Sequence, residues 1–233
     1  MEQSDVIEQT IKVEGMGAVI QPDGVFFRVW APNATAVFVT GTFNDFSKED
    51  DILQSEGNGN WAGLVTSAKK GDEYKYVLQT PKGELFKNDP YARAVTSSVG
   101  NSIVYDPAEF NWGDVAYDMP TWNKLVIYEL HTGTFNVKEE GKPGDMYGII
   151  EKLPYLKDLG INAIEVMPPF EFPGGFSWGY NPSQPFAIES EYGGPDAFKS
   201  LVKAAHENGI AVILDVVYNH FGPSDLDIWQ FDG

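Results

Sequence analysis

The chain contains no cysteine. That absence removes disulfides, a thiolate nucleophile and any cysteine-ligated zinc. Positive charge is scarce: 16 Lys and Arg stand against 34 Asp and Glu, a net charge of −18. Nucleic acid and anionic membrane surfaces need a basic face, so neither is expected as a partner, whereas a neutral polymer makes no such demand. No apolar run approaches the roughly 20 residues that span a bilayer. The opening Met1-Glu-Gln-Ser-Asp-Val lacks the basic and apolar regions of a secretory signal, and a soluble, cytoplasmic protein is expected. Neither a Gly-x-Gly-x-x-Gly after a strand, nor a phosphate-cradling loop, nor a paired-histidine metal motif occurs.

What the chain does have is aromatic side chains, at 14% within a hydrophobic content of 42%, which over 233 residues supports a sizeable core. Residues 1–14 are polar and acidic and read as a flexible lead-in. From 15 to 107 short strand signals follow one another between turn residues. Val25, Phe27 and Val29 alternate with Phe26, Arg28 and Trp30; Tyr74, Tyr76 and Leu78 alternate with Lys75, Val77 and Gln79. Further strands are expected at 37–40, 61–65 and 102–105. Several strands with no helical period between them predict an immunoglobulin-like β-sandwich.

The texture changes after Pro107. Residues 108–123 read as a linker packed against a neighbour. From 124 to 233 strand and helix alternate: strands at 125–130, 162–167 and 210–217, and helices at 147–159 and from Pro195 to Asn208-Gly209. This is the rhythm of a parallel sheet covered by helices, and it predicts the first strands of a (β/α)8 barrel. Between the second strand and the second helix lies a long break, 168–194, rich in Phe, Trp, Tyr, Pro and Gly. A loop of that length in a compact domain is functional or disordered, and its rings favour an ordered wall.

Chemistry in such a barrel gathers at the carboxyl ends of the strands. Glu129, Glu165 and Asp215 fall one on each barrel strand, either as reacting carboxyls or as structural charges held by neighbours. Carboxyl pairs are what glycosyl transfer uses. Asn219 and His220 follow the third strand: the imidazole is suited to a sugar hydroxyl, and the Asn carbonyl to a hydroxyl or a hard cation. The alternative reading makes them a loop cap and a surface histidine. His131 holds an analogous place after the first strand, and His206 reads as surface. Tyr180 is read either as a stacking ring for a pyranose or as core packing.

Taken together these residues resemble the alpha-amylase family of glycoside hydrolases and transglycosidases. Asp215-Val-Val-Tyr-Asn-His220 is similar to that family's conserved block on the third barrel strand. Trp178-Gly-Tyr-Asn-Pro182 and Tyr192-Gly-Gly-Pro-Asp-Ala-Phe198 fit the same pattern. Phe27-Arg-Val-Trp-Ala-Pro-Asn33 and Gly41-Thr-Phe-Asn-Asp45 resemble the glucan-binding module that precedes such barrels. The resemblance implies that Trp178 and Tyr180 line the substrate site, with Tyr180 stacking on the sugar at the non-reducing side of the cleaved bond. It implies a hydroxyl bond from His220, structural support from Asp215, and loop ordering by Asn219, which binds calcium in members that carry it; no other cofactor is implied. The substrate implied is α-1,4-glucan or a maltooligosaccharide. The family's retaining mechanism uses an aspartate nucleophile, a glutamate acid/base and a stabilising aspartate after strands four, five and seven. None of these has a position in this sequence, so this chain alone is expected to be inactive.

Within the family, Val217-Tyr-Asn-His-Phe-Gly-Pro223 resembles trehalose-releasing and debranching members. Ser224-Asp-Leu-Asp-Ile-Trp-Gln-Phe-Asp-Gly233 leans towards branching enzymes. A 1,4-α-glucan branching activity is the expectation, with a hydrolase of the same family as the alternative. A non-catalytic glucan-binding protein is the third reading.

Overall fold

A computed structural model describes residues 13–233. Of the lead-in, residues 1–12, including the stretch read for a secretory signal, lie outside the described residues. The Val13 carbonyl accepts a 2.7 Å hydrogen bond from Arg28 Nη1.

The first half is a β-sandwich. Its strands are β1 (Gly17–Gln21), β2 (Gly24–Trp30), β3 (Ala36–Gly41), β4 (Asp51–Gly57), β5 (Asn60–Val65), β6 (Glu73–Thr80), β7 (Gly83–Lys87) and β8 (Ser102–Ile103). They hydrogen-bond in the order β1-β2-β5-β4-β3-β6-β7, with β8 on β6. β4 joins the two layers: Leu53 pairs with Val37 of β3, while Gln54 and Ser55 pair with Ala62 and Trp61 of β5. The alternation in β2 and β6 has the expected cause. Val25, Phe27, Val29, Tyr74, Tyr76 and Leu78 are fully or almost fully buried in one core with Val37, Val39 and Leu53. Phe27 meets Tyr74 edge-on at 5.0 Å between ring centroids.

One carboxyl is sealed beneath this core. Asp89 accepts from Tyr74 Oη at 2.6 Å and from the Tyr91 amide at 2.8 Å. Burial pushes its pKa up to about 6 against the pull of those bonds.

The second half is the start of a parallel α/β barrel: β9 (Ile127–Leu130), α1 (Thr132–Phe135), α2 (Met146–Asp158), β10 (Ala163–Val166), β11 (Phe170–Glu171), β12 (Gln184–Ile188), α3 (Gly194–Glu207) and β13 (Ala211–Leu214). β10 lies between β9 and β13, parallel to both. Ile149, Leu153 and Leu156 of α2 and Ala197, Leu201 and Ala205 of α3 bury against Ile164 and Val166 of β10. One face of the sheet is thereby covered. No helix among the described residues is long and apolar enough to cross a membrane.

Three differences from the sequence expectation stand out. The break at 168–194 contains an antiparallel pair, β11 and β12, which gives the loop its order. The third barrel strand is shorter than 210–217, ending at Leu214, and the Asp215 amide makes one further bond to the Val166 carbonyl at 3.1 Å. His206 is not a free surface group: its ring stacks on Tyr117 at 4.1 Å, and partial burial lowers its pKa. The stretch at 108–123 lies along α3, where Lys203 donates to the Asn111 carbonyl at 3.1 Å and, just before it, Lys199 donates to the Pro107 carbonyl at 2.8 Å.

Candidate functional site

Register decides where the three barrel carboxylates point. Glu129 pairs with Glu165, and Glu165 with Ile213, so Asp215, two residues on, shares their side of the sheet. Ile164 and Val166 belong to the helix-packed core. Glu129, Glu165 and Asp215 therefore face the opposite side, the barrel interior, with Asp215 nearest its mouth.

The loop between β11 and β12 reaches over this mouth. Tyr180 Oη donates to Asp215 Oδ2 at 2.5 Å. That bond, helped by burial and the negative charges of Asp215, Glu129 and Glu165, pushes the phenol pKa up to about 12. The hydroxyl thus stays protonated and keeps the ring edge fixed, while 41% of the residue remains exposed for contact with a ligand. Gly179 makes the approach possible. Its φ is +89°, and a Cβ there would sit 1.9 Å from the Pro168 carbonyl oxygen.

His220 is held by the same loop. Its Nδ1 meets the Asn219 side-chain amide at 2.8 Å and its Nε2 meets the Tyr180 carbonyl at 2.6 Å. An amide donor and a carbonyl acceptor set the tautomer: Nδ1 accepts and Nε2–H donates. Both nitrogens are engaged, so a bond to a sugar hydroxyl requires the imidazole to release the Tyr180 carbonyl. Asn219 thereby orders the loop through its neighbour. Among the described residues no group of three or more His, Asp or Glu side chains could hold a metal ion.

The remaining candidates separate. Trp178, 72% exposed, stands at the rim rather than in the cluster. His131 is a tether: Nε2 lies 2.7 Å from the Ser177 carbonyl and 3.1 Å from Tyr192 Oη, and Nδ1 lies 3.0 Å from Thr134 Oγ1. It binds the aromatic loop to the end of β9.

Sequence reasoning missed two carboxyls that brace the loop from below. Glu171, on β11, accepts from the Ser190 amide at 2.8 Å; Glu189 accepts from the Phe172 amide at 3.1 Å and the Glu191 amide at 3.2 Å. Both are about 1% exposed. Burial, followed by the charge of Glu189, raises the Glu171 pKa to about 8; burial raises that of Glu189 to about 7. The only sequence signal was an isolated Glu between Phe170 and Phe172.

The site defines a class by architecture: the start of a parallel α/β barrel behind a β-sandwich, with an aromatic ring, a carboxylate and an imidazole gathered at the barrel mouth. The comparisons name the family. The alpha amylase catalytic domain matches residues 103–228, and carbohydrate-binding module 48, the isoamylase N-terminal domain, matches residues 15–92. The chain belongs to the alpha-amylase family. It is 39% identical to malto-oligosyltrehalose trehalohydrolase of Saccharolobus solfataricus, over 89% of this chain and 35% of that protein. It is 38% identical to 1,4-alpha-glucan branching enzyme GlgB of Halothermothrix orenii, over 90% of this chain and 35% of that protein. A solved pullulanase from Anoxybacillus sp. LM18-11, complexed with maltotetraose, superposes with a TM-score of 0.76 at 28% identity, over 90% of this chain and 36% of that one. The chain spans about a third of the length of the relatives it matches.

Proposed function

We propose that the protein carrying this chain remodels α-1,4-linked glucan in the cytoplasm as a branching enzyme, moving a glucan segment to an α-1,6 position by double displacement. The observation that carries the reading is the convergence of Tyr180, Asp215 and His220 at the carboxyl end of the barrel strands. In this reading the Tyr180 ring stacks on a pyranose face, Asp215 holds that ring through its hydroxyl, and His220 and Asn219 shape the opposite rim. Trp178 extends the apolar wall. These residues bind and orient; the nucleophile and the acid/base, by family resemblance, follow later barrel strands. Three parallel strands do not close a barrel that takes about 250 residues, and the reading expects no turnover from these residues alone. The chemistry of this reading calls for no cofactor, and calcium at Asn219 is the one ion it leaves room for.

Similarity to the H. orenii branching enzyme supports transfer, and similarity to the trehalohydrolase supports a second reading as a hydrolase. The two differ in whether a sugar hydroxyl or water resolves the glycosyl intermediate. Amylose incubated with the full-length protein separates them. Loss of long-chain iodine colour with new α-1,6 linkages indicates branching. New reducing ends without α-1,6 linkages indicate hydrolysis and overturn the branching assignment.

A further inference from the structure

The segment that follows His220 leaves the barrel and lies along the sandwich, and each of its acidic side chains from Asp225 onward finds a donor there. Asp225 accepts from Ser98 Oγ at 3.1 Å. Asp227 Oδ2 accepts from Lys75 Nζ at 2.7 Å and from the Asn88 amide at 3.2 Å. The Trp229 carbonyl accepts from Lys87 Nζ at 3.0 Å. Asp232 accepts from the Asn33 amide at 2.7 Å and from Asn33 Nδ2 at 3.3 Å. Phe231 packs against the sandwich core.

The central contact is unusual for a sandwich. Lys75 lies on β6, its side chain 9% exposed, and its ion-pair partner Asp227 comes from the other half of the chain. Lys75 projects from the face of β6 opposite the core-packed Tyr74 and Tyr76, and an ammonium buried there must be paired. The charge therefore has a use in fixing the register of the segment that docks on it. In a chain with only 16 Lys and Arg, three of them, Lys75, Lys82 and Lys87, are committed to this strap.

At its other end the strap runs into the sugar-binding loops. The Gly222 amide donates to the Pro182 carbonyl at 2.9 Å, and His220 Nε2 holds the Tyr180 carbonyl. A continuous series of contacts thus runs from β6 through Asp227 to the loop that carries Tyr180. We propose that the sandwich serves as a positioning platform for the glucan-binding mouth, with Lys75 as the positioning residue that acts through Asp227 on His220 and Tyr180. This inference rests on the proposed glucan-binding role of that mouth.

The test compares wild type with Lys75→Met, which keeps the length of the stem against Phe86, and with Lys75→Arg, which restores the charge. The first readout is amide hydrogen exchange of the full-length protein over residues 216–224, which include the Gly222 amide. Lys75→Met is expected to speed exchange there about tenfold, ~1.4 kcal/mol, with β2 protection unchanged, and Lys75→Arg to restore it. Unchanged protection over 216–224 in Lys75→Met overturns the proposal, as does failure of Lys75→Arg to restore it. Should Lys75→Met unfold the sandwich, Asp232→Ala removes both acceptors that Asn33 donates to and loosens the far end of the strap. A rise in exchange over 216–224 in that variant supports the coupling, and none overturns it. The second readout is kinetic, in the full-length protein: Lys75→Met is expected to raise KM for maltohexaose about fivefold with kcat little changed. A fall in kcat with KM unchanged contradicts positioning. A full-length protein with no action on any α-glucan would refute the proposed function and leave the exchange result to decide the coupling.

Discussion

Replacing Glu171 by Gln tests whether the aromatic loop rests on buried carboxyls that the fold keeps protonated. Glu171 and Glu189 have pKa values raised to about 8 and about 7, against 4.5 for an ordinary glutamate. A raised carboxyl is bound better by the fold in its protonated form. Its contribution is complete below the unfolded value near 4.5 and is lost as pH rises through 7 and 8. Taken alone, the Glu171 shift corresponds to about 5 kcal/mol between pH 4.5 and 8. Relaxation of the surroundings on ionisation cuts this to ~3 kcal/mol. Gln reproduces the protonated acid: its carbonyl still accepts from the Ser190 amide, and its NH2 can donate to Ser190 Oγ, 3.4 Å from Oε1. The assay is hydrogen exchange of residues 170–191 from pH 5 to pH 8, corrected for intrinsic rates. Wild type should lose protection over that range, and Glu171→Gln should match it at pH 5 and exceed it by ~3 kcal/mol at pH 8. A variant that follows wild type across the range, or is less protected at pH 8, refutes the reasoning.

Two further substitutions have definite expected outcomes. Gly179→Ala forces a Cβ into the Pro168 carbonyl at a left-handed φ, and should cost about 3 kcal/mol of barrel-half stability in urea titration; a loss below ~1 kcal/mol would show that the loop has room to move. Asp89→Ala strands the Tyr74 hydroxyl and the Tyr91 amide in the core and should cost the sandwich about 3 kcal/mol in guanidinium unfolding, a cost that shrinks as pH rises through 6, because the wild-type carboxyl is favoured when protonated; a cost that grows over that range would contradict the burial argument.

The sequence made those strands legible whose inner faces are apolar at every second position. β2 and β6 are of this kind, and so are the helices whose apolar residues recur at helical spacing. β4 was hidden because Asp51, Gln54, Ser55 and Glu56 are polar, leaving Leu53 as its one fully buried side chain. A strand shared between two layers at a sheet edge needs little more. β11 and β12 escaped notice because a two-residue strand has no measurable period and Gln184, opposite Glu171, is a buried polar residue. At the candidate site, residue type and position after a strand pointed to Asn219 and His220, whereas the roles of Tyr180 and Asp215 came from the resemblance to the alpha-amylase family. What no one-dimensional pattern carries is that Tyr180 and Asp215, 35 positions apart, share a proton donor and acceptor, or that both nitrogens of His220 are already engaged. The strap was invisible for the same reason: Lys75 and Asp227 lie 152 positions apart, and each looks like an ordinary surface charge on its own.

The most direct test of the central claim is turnover of amylose by the full-length protein that carries this chain, wild type against Tyr180→Ala. The account predicts that removing the stacking ring lowers kcat/KM by about a hundredfold while the melting temperature stays within a few degrees. A Tyr180→Ala enzyme that folds and turns over amylose at the wild-type rate would contradict the placement of the glucan at this mouth.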